Sequence, residues 1–146
     1  MSVGMGKRRT GGELTIHDGI YRSFEWYWDE NGAMPGLDRY ESLPQRAQDD
    51  FEASVIHWGD IPPGQRPVRS RVNEERRDPL VVAIKAGKHR FTSFREESGP
   101  TWIVFGYYAK EAEQRDKTGD RVVSRTVDAR KSYFKRVKDG TYYERG

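Results

Sequence analysis

The chain of 146 residues contains no cysteine and only three histidines. Without cysteine there can be neither disulfides nor thiolate ligands and nucleophiles. The histidines His17, His57 and His89 are scattered, and none stands at ligand spacing from another histidine or a carboxylate pair. The sequence therefore predicts no metal site and no cofactor.

Long apolar segments and familiar catalytic loops are also missing. The longest apolar run is "LVVAI", far short of a membrane span, and the start "MSVGMGKRRTGGE" has no apolar signal segment. No Gly-rich phosphate loop precedes a helix, and there is no G-x-S-x-G elbow. We expect a cytoplasmic protein without a membrane partner, and neither nucleotide-cofactor nor acyl-transfer chemistry.

Aromatic residues are what the chain has in quantity. Four Trp, six Phe and eight Tyr make up 12% of the sequence, enough ring area for one compact core despite a mean hydropathy of −0.97. We predict a flexible basic lead over residues 1–12, a single domain over residues 13–137, and a polar-aromatic tail over residues 138–146.

Hydrophobic periodicity predicts an α+β fold with helices packed on an antiparallel sheet. The expected order is one strand or hairpin, two helices, three antiparallel strands and a last helix. Asp18-Gly19 is a hairpin signal, whereas Gly87 and "ESGP" supply the turns of the later meander. Residues 61–79 are rich in Pro and Arg and are predicted to be one long loop.

Charge is distributed unevenly along the chain. Residues 1–63 hold 6 basic and 11 acidic residues, a net charge of −5, and residues 64–146 hold 20 and 12, a net charge of +8. A basic second half indicates a polar partner, most often nucleic acid. An equally open interpretation is that Arg-rich surfaces are common in proteins from high-GC genomes.

Basic and aromatic residues concentrate on the three predicted meander strands. The set is Lys85, Lys88, His89, Arg90, Arg95, Tyr107, Tyr108 and Lys110. In the last strand, strict alternation places Tyr107 with Ile103 and Phe105, and Tyr108 with the opposite face. The set is typical of a phosphate-binding surface with stacking rings. The other interpretation is an ordinary solvated sheet face.

Several stretches resemble the RelE/ParE superfamily, specifically its HigB-type, phage-derived branch. They are "FEWYWDENGAMPGLDRYESLPQRAQDDF", "LVVAIKAGKHRFTSFREESG", "WIVFGYYAKEAEQ" and "RTVDARKSY", which follow the family's element order over roughly residues 20–136. Lys85, Arg90 and Lys110 stand where that branch has its strand lysine, arginine and second lysine. The resemblance implies a RelE-like fold.

The same resemblance implies a type II toxin that cleaves mRNA, usually on the ribosome, and is silenced by an antitoxin, expected to be a helix-turn-helix protein. Metal-free cleavage needs a base, cations for the phosphate and an acid. For these roles we predict four catalytic residues: Lys85 and Lys110 as base or charge stabiliser, Arg90 on the phosphate, and Tyr108 in stacking or proton transfer. Neighbouring cations lower the pKa of a lysine base. The predicted substrate-binding residues are Lys88, His89, Arg95 and Tyr107. Among these, Arg95 joins Arg90 as a phosphate clamp, and His89 is a candidate acid.

Two alternatives remain at this point. The chain resembles a scaffold that can also serve as a non-catalytic phage or prophage module holding RNA, a ribosome or a host protein. Glu111 and Glu113 beside Lys110 favour that interpretation, because they weaken the hold on an anionic substrate. The second alternative is a gyrase-targeting toxin of the ParE kind, which would damage DNA and leave mRNA intact.

Overall fold

Six strands form one sheet in the computed structural model, which describes residues 11–110 and 117–143. The strands are β1 (Thr15–Asp18), β2 (Ser23–Trp26), β3 (Val72–Arg77), β4 (Leu80–Ala86), β5 (His89–Arg95) and β6 (Thr101–Ala109). The helices are α1 (Gly11–Leu14), α2 (Pro35–Ser42), α3 (Gln45–Asp60) and α4 (Lys117–Lys138). The predicted α+β class is confirmed. Of the predicted lead, residues 1–10 lie outside the described part, as do Glu111 and Glu113.

The strands are arranged in the order β1-β2-β6-β5-β4-β3. All neighbours are antiparallel except β2 and β6, which are parallel, so the expectation of a wholly antiparallel sheet is wrong. Short turns dictate direction only between consecutive strands. Because β2 and β6 are far apart in sequence, no turn signal bears on their pairing.

Strand β3 corrects a second expectation, since it lies inside residues 61–79, which were predicted to be one loop. Its sequence "VNEERR" carries four charged residues, and the strand stands at the edge of the sheet beside β4. Charged side chains are common on edge strands, where they discourage pairing with other chains. They also interrupt the hydrophobic alternation from which a strand is predicted in a sequence.

One face of the sheet packs against α2 and α3 through a dense aromatic core. The ring of Phe51 lies 4.6 Å from that of Phe91, and Trp58 lies 4.5 Å from Trp102. All four residues are at most 6% exposed. Tilted contacts between rings at these distances stabilise a core beyond area burial alone.

The opposite face packs against α4 and the chain that follows it. Tyr133 of α4 lies against Phe94, and Tyr142 from the predicted tail is fully buried. The hydroxyl of Tyr142 accepts a hydrogen bond of 3.1 Å from the backbone N–H of Trp28. The tail therefore contributes to this core at least as far as Tyr142. Within the described ranges no helix is both long and apolar enough to cross a membrane.

Candidate functional site

A bulge in β6 decides which side chains reach each face of the sheet. Thr92 on β5 stands opposite Gly106, whereas Ser93 stands opposite Val104, so Phe105 is an extra residue in β6. A Cβ on Gly106 would lie 2.6 Å from Thr92 Oγ1 and 2.8 Å from a methyl carbon of Val122. Only glycine allows α4 to approach the bulge this closely.

The bulge reverses the alternation that the sequence predicts for the end of β6. Tyr107 packs with the α3-side core, where its ring lies 5.3 Å from Phe91. Tyr108 is on the α4 side, with its ring directly against Gly119. The prediction that Tyr107 shares a face with Ile103 is therefore wrong, because an extra residue shifts every later side chain to the other face.

Lys85, Arg90 and Tyr108 form a row across three strands on the α4 side of the sheet. Lys85 of β4 is the register partner of Arg90 on β5, and Arg90 is the partner of Tyr108 on β6. Directly opposite residues of antiparallel strands share a face, with Cβ atoms about 5 Å apart. We call these three residues the cross-strand row. It unites three of the four residues predicted to be catalytic.

Glu75 on β3 is a member of this site that sequence analysis missed. It lies where β3 is irregular, between Glu74 and Arg76, and its carboxylate accepts a hydrogen bond from the Tyr108 hydroxyl. Glu75 is therefore the one carboxylate that the described contacts place on the row. The only sequence signal for it would have been the strand β3 itself.

The environment of Lys85 shifts its acid–base equilibrium. Partial burial lowers the pKa of the Lys85 ammonium, and the positive charges of Arg90, Lys110 and Arg69 lower it further, whereas Glu75 opposes them. The Lys85 Nζ also donates a hydrogen bond of 2.9 Å to the Arg69 carbonyl. Lys85 is thus closer to its neutral, proton-accepting form than a solvated lysine.

The remaining cations lie at the end of the sheet, around the turn between β4 and β5. The Arg90 guanidinium donates hydrogen bonds to the Gly87 carbonyl and, at 3.3 Å, to the His89 carbonyl. The backbone N–H of Lys110 donates to the Lys88 carbonyl at 2.9 Å, so Lys88 and Lys110 are neighbours. Both have exposed side chains beside the cross-strand row.

Three residues predicted to bind substrate are placed away from the row. His89 and Tyr107 face the α3 side, where His89 Nδ1 lies 2.6 Å from the Tyr107 hydroxyl. Arg95 is five residues along β5 from Arg90, about 16 Å away, and donates a hydrogen bond to the Gly99 carbonyl. The prediction that Arg90 and Arg95 clamp one phosphate is therefore wrong, because a strand is too extended to bring them together.

Comparison with known proteins gives no independent assignment. None of the known protein-family models matches this chain, and no curated protein matches it significantly. Within the described ranges there is also no group of three or more His, Asp or Glu side chains placed to hold a metal ion. The chemistry of the cross-strand row is therefore inferred from its own geometry.

Proposed function

We propose that the protein is a metal-independent endoribonuclease that cleaves mRNA, and that it is the toxin of a type II toxin–antitoxin pair with a RelE-like fold. The observation that carries this proposal is the cross-strand row, in which a lysine of lowered pKa stands beside an arginine and a tyrosine. The order of elements from β2 to α4 also supports it, since it follows the expected order with β3 added.

The proposed reaction starts at the RNA 2′-hydroxyl. Neutral Lys85 accepts its proton, and the 2′-oxygen attacks the adjacent phosphorus to form a 2′,3′-cyclic phosphate. Arg90 and Lys110 stabilise the negative charge that grows on the phosphate oxygens. The bond to the 5′-oxygen breaks, and Tyr108 supplies the proton that this leaving group needs. Glu75 holds the Tyr108 hydroxyl in place until substrate arrives.

The proposed partners are mRNA on the ribosome and an antitoxin of the helix-turn-helix type. A second candidate function is a non-catalytic binding module on the same scaffold. The specific observation that favours it is Glu75, because its carboxylate faces the row and repels a phosphate. Growth of the host after induction separates the two functions, since an inert binder does not arrest it.

The test is induced expression in a bacterial host, with primer extension on abundant mRNAs, for the wild type, Arg90→Ala and Arg95→Ala. Arg95→Ala is a matched control, because it removes the same charge from the same strand about 16 Å away. We expect growth arrest with codon-phased mRNA breaks in the wild type and in Arg95→Ala. For Arg90→Ala we expect cleavage to fall by about 10²–10³-fold, with an unchanged melting temperature of the purified protein.

Other outcomes would change the proposed mechanism or the proposed function. Full cleavage by Arg90→Ala would remove Arg90 from the mechanism. Arrest with intact mRNA and damaged DNA would indicate a gyrase-targeting toxin. Normal growth and intact mRNA in the wild type would favour the binding module.

A further inference from the structure

A cleft of about 550 Å³ lies between α2 and α4 along one edge of β6. The parallel pairing of β2 with β6 ends at Val104, so in the described part of the chain residues 105–109 of β6 have a strand neighbour on the β5 side only. Phe105 and Tyr107 line the cleft there, and the helices contribute Arg39 and Arg125. Among the described residues, Asp38 is the only acidic one that lines it.

Arg39 is held in position by an aromatic ring. Its side chain is exposed, and its guanidinium lies 5.2 Å from the centre of the Tyr107 ring. That ring is itself fixed, because it stacks on His89 and its hydroxyl lies 2.6 Å from His89 Nδ1. A guanidinium that lies over a ring keeps its N–H edge available to a phosphate in a preorganised geometry.

Arg125 faces the same cleft from α4 and is also exposed. Among the described residues, no carboxylate lies within 4.0 Å of either Arg39 or Arg125. Asp38 lines the cleft with them but lies beyond ion-pair distance of both guanidiniums, so an anion bound in the cleft would be attracted by two positive charges. Arg125 also borders the neighbouring cavity that Asp29, Glu30 and Asp128 line. The two guanidiniums therefore favour a phosphate bound in the cleft.

A ridge of basic side chains connects the cleft with the cross-strand row. Lys117, Arg121 and Arg125 are exposed and recur every fourth residue of α4, which spaces them about 6 Å apart along one side of the helix. The ridge begins in the first turn of α4, where Gly119 covers the ring of Tyr108. A single RNA strand that follows this ridge from the row would place a later phosphate in the cleft.

We propose that the cleft between α2 and α4 is a phosphate subsite for single-stranded RNA, with Arg39 and Arg125 as its ligands. The proposal rests on the proposed action on RNA and adds residues that the cross-strand row does not contain. Charge favours RNA over an acidic peptide, because the ridge continues the positive field toward the proposed reaction centre. The partly exposed Phe105 ring suits the apolar face of a nucleotide.

The test measures binding of a short fluorescein-labelled single-stranded RNA, 2′-O-methylated throughout so that it cannot be cleaved. The double variant Arg39→Gln/Arg125→Gln is compared with Lys131→Gln/Lys135→Gln, which removes the same charge from exposed positions of α4 outside the cleft. We expect the cleft variant to bind about tenfold more weakly and its plot of log K against log salt to become shallower by about 0.7, because one phosphate contact is lost. The control should keep the wild-type slope.

Each other outcome has a definite meaning. Equal losses in both double variants would overturn the subsite and leave only a general charge effect. Preferential binding of a polyglutamate peptide through Arg39 and Arg125 would overturn RNA as the ligand. If the wild type binds RNA through the cleft but cleaves no mRNA in cells, the subsite stands and the proposed catalysis fails. If the wild type cleaves and the cleft variant both binds and cleaves normally, the subsite alone fails.

Discussion

Two cations on the α4 side of the sheet have opposite environments. Arg136, near the end of α4, is 7% exposed and surrounded by rings. Lys85 in the cross-strand row is partly buried near three other cations, Arg90, Lys110 and Arg69, which outnumber the one carboxylate of Glu75. The first environment satisfies a positive charge and the second destabilises it. This difference separates a cation that holds the fold together from one that is available for chemistry.

Arg136 joins the last turn of α4 to the strand region of the first half of the chain. Its guanidinium donates a hydrogen bond of 2.7 Å to the Trp28 carbonyl. It lies 4.3 Å from the centre of the Trp28 ring and 4.7 Å from that of Tyr142. Because the hydrogen bond and the rings together replace the water that burial removes, the charge stabilises this corner of the fold.

The largest expected change in stability comes from removing the Arg136 side chain and its contacts. Arg136→Ala removes a buried side chain, its ring contacts and the partner of a buried carbonyl, so we expect a loss of about 3 kcal/mol in the free energy of unfolding. For a chain of this size the melting temperature should fall by about 10 °C. Arg130→Ala is the matched control, because Arg130 lies 4.6 Å from the Phe134 ring but is only half-buried. Equal losses in the two variants would refute the special role of burial.

Replacing Lys85 should cost no stability but should reduce activity. Its pKa is lowered, so the folded state disfavours the charged form, and stability rises with pH as Lys85 loses its proton below the unfolded value of 10.5. Lys85→Met removes the cost of holding the charged form in this partly buried position. We expect a melting temperature equal to or above that of the wild type, measured by calorimetry at pH 7, together with a loss of about 10²-fold in the proposed mRNA cleavage.

The control for this comparison is Lys131→Met, a substitution at an exposed position on α4. It should change neither the melting temperature nor cleavage. A large drop in the melting temperature of Lys85→Met would mean that Lys85 is a structural residue like Arg136. The hydrogen bond from Lys85 to the Arg69 carbonyl is solvent-exposed, so water can replace it in the variant.

The contrast between these two sites also shows what sequence could predict. Lys85, Arg90 and Tyr108 could be grouped because Gly87 and "ESGP" make tight turns, and short connections place consecutive strands side by side. Phe105 could not be recognised as a bulge, since its effect depends on the close approach of Val122 to Gly106. For that reason the faces of Tyr107 and Tyr108 were exchanged.

Long-range partners account for the other differences. The contacts of the Arg136 guanidinium join residues more than a hundred positions apart in sequence, and no periodic pattern predicts such a contact. Glu75 was not predicted because the exposed residues of β3 are charged, so that the segment resembles a loop. Sequence therefore predicted the elements with apolar alternation and their local order, but not the edge strand or the contacts between distant segments.

The smallest expected change in stability comes from Glu25 on β2. Its pKa, like that of Lys85, is shifted toward the neutral form of the side chain. Burial raises the pKa of the Glu25 carboxyl, a hydrogen bond of 2.7 Å from the Tyr143 hydroxyl opposes this, and the charges of Glu96 and Asp18 raise it further. The folded state therefore binds a proton more tightly than the unfolded state. The stability that this gives is fully present below the unfolded value of 4.5 and is lost as pH rises through the higher folded value.

Glu25→Gln tests whether the charged Glu25 carboxylate destabilises the fold, because glutamine stays neutral and still accepts a hydrogen bond from Tyr143. We expect its melting temperature to match the wild type near pH 4 and to exceed it at pH 7, by less than Arg136→Ala loses. Glu97→Gln, at an exposed position, should show no such divergence with pH. A wild type that is more stable than Glu25→Gln at pH 7 would show that the Tyr143 hydrogen bond outweighs burial. In that case the charged carboxylate would stabilise the fold, as the charged Arg136 does.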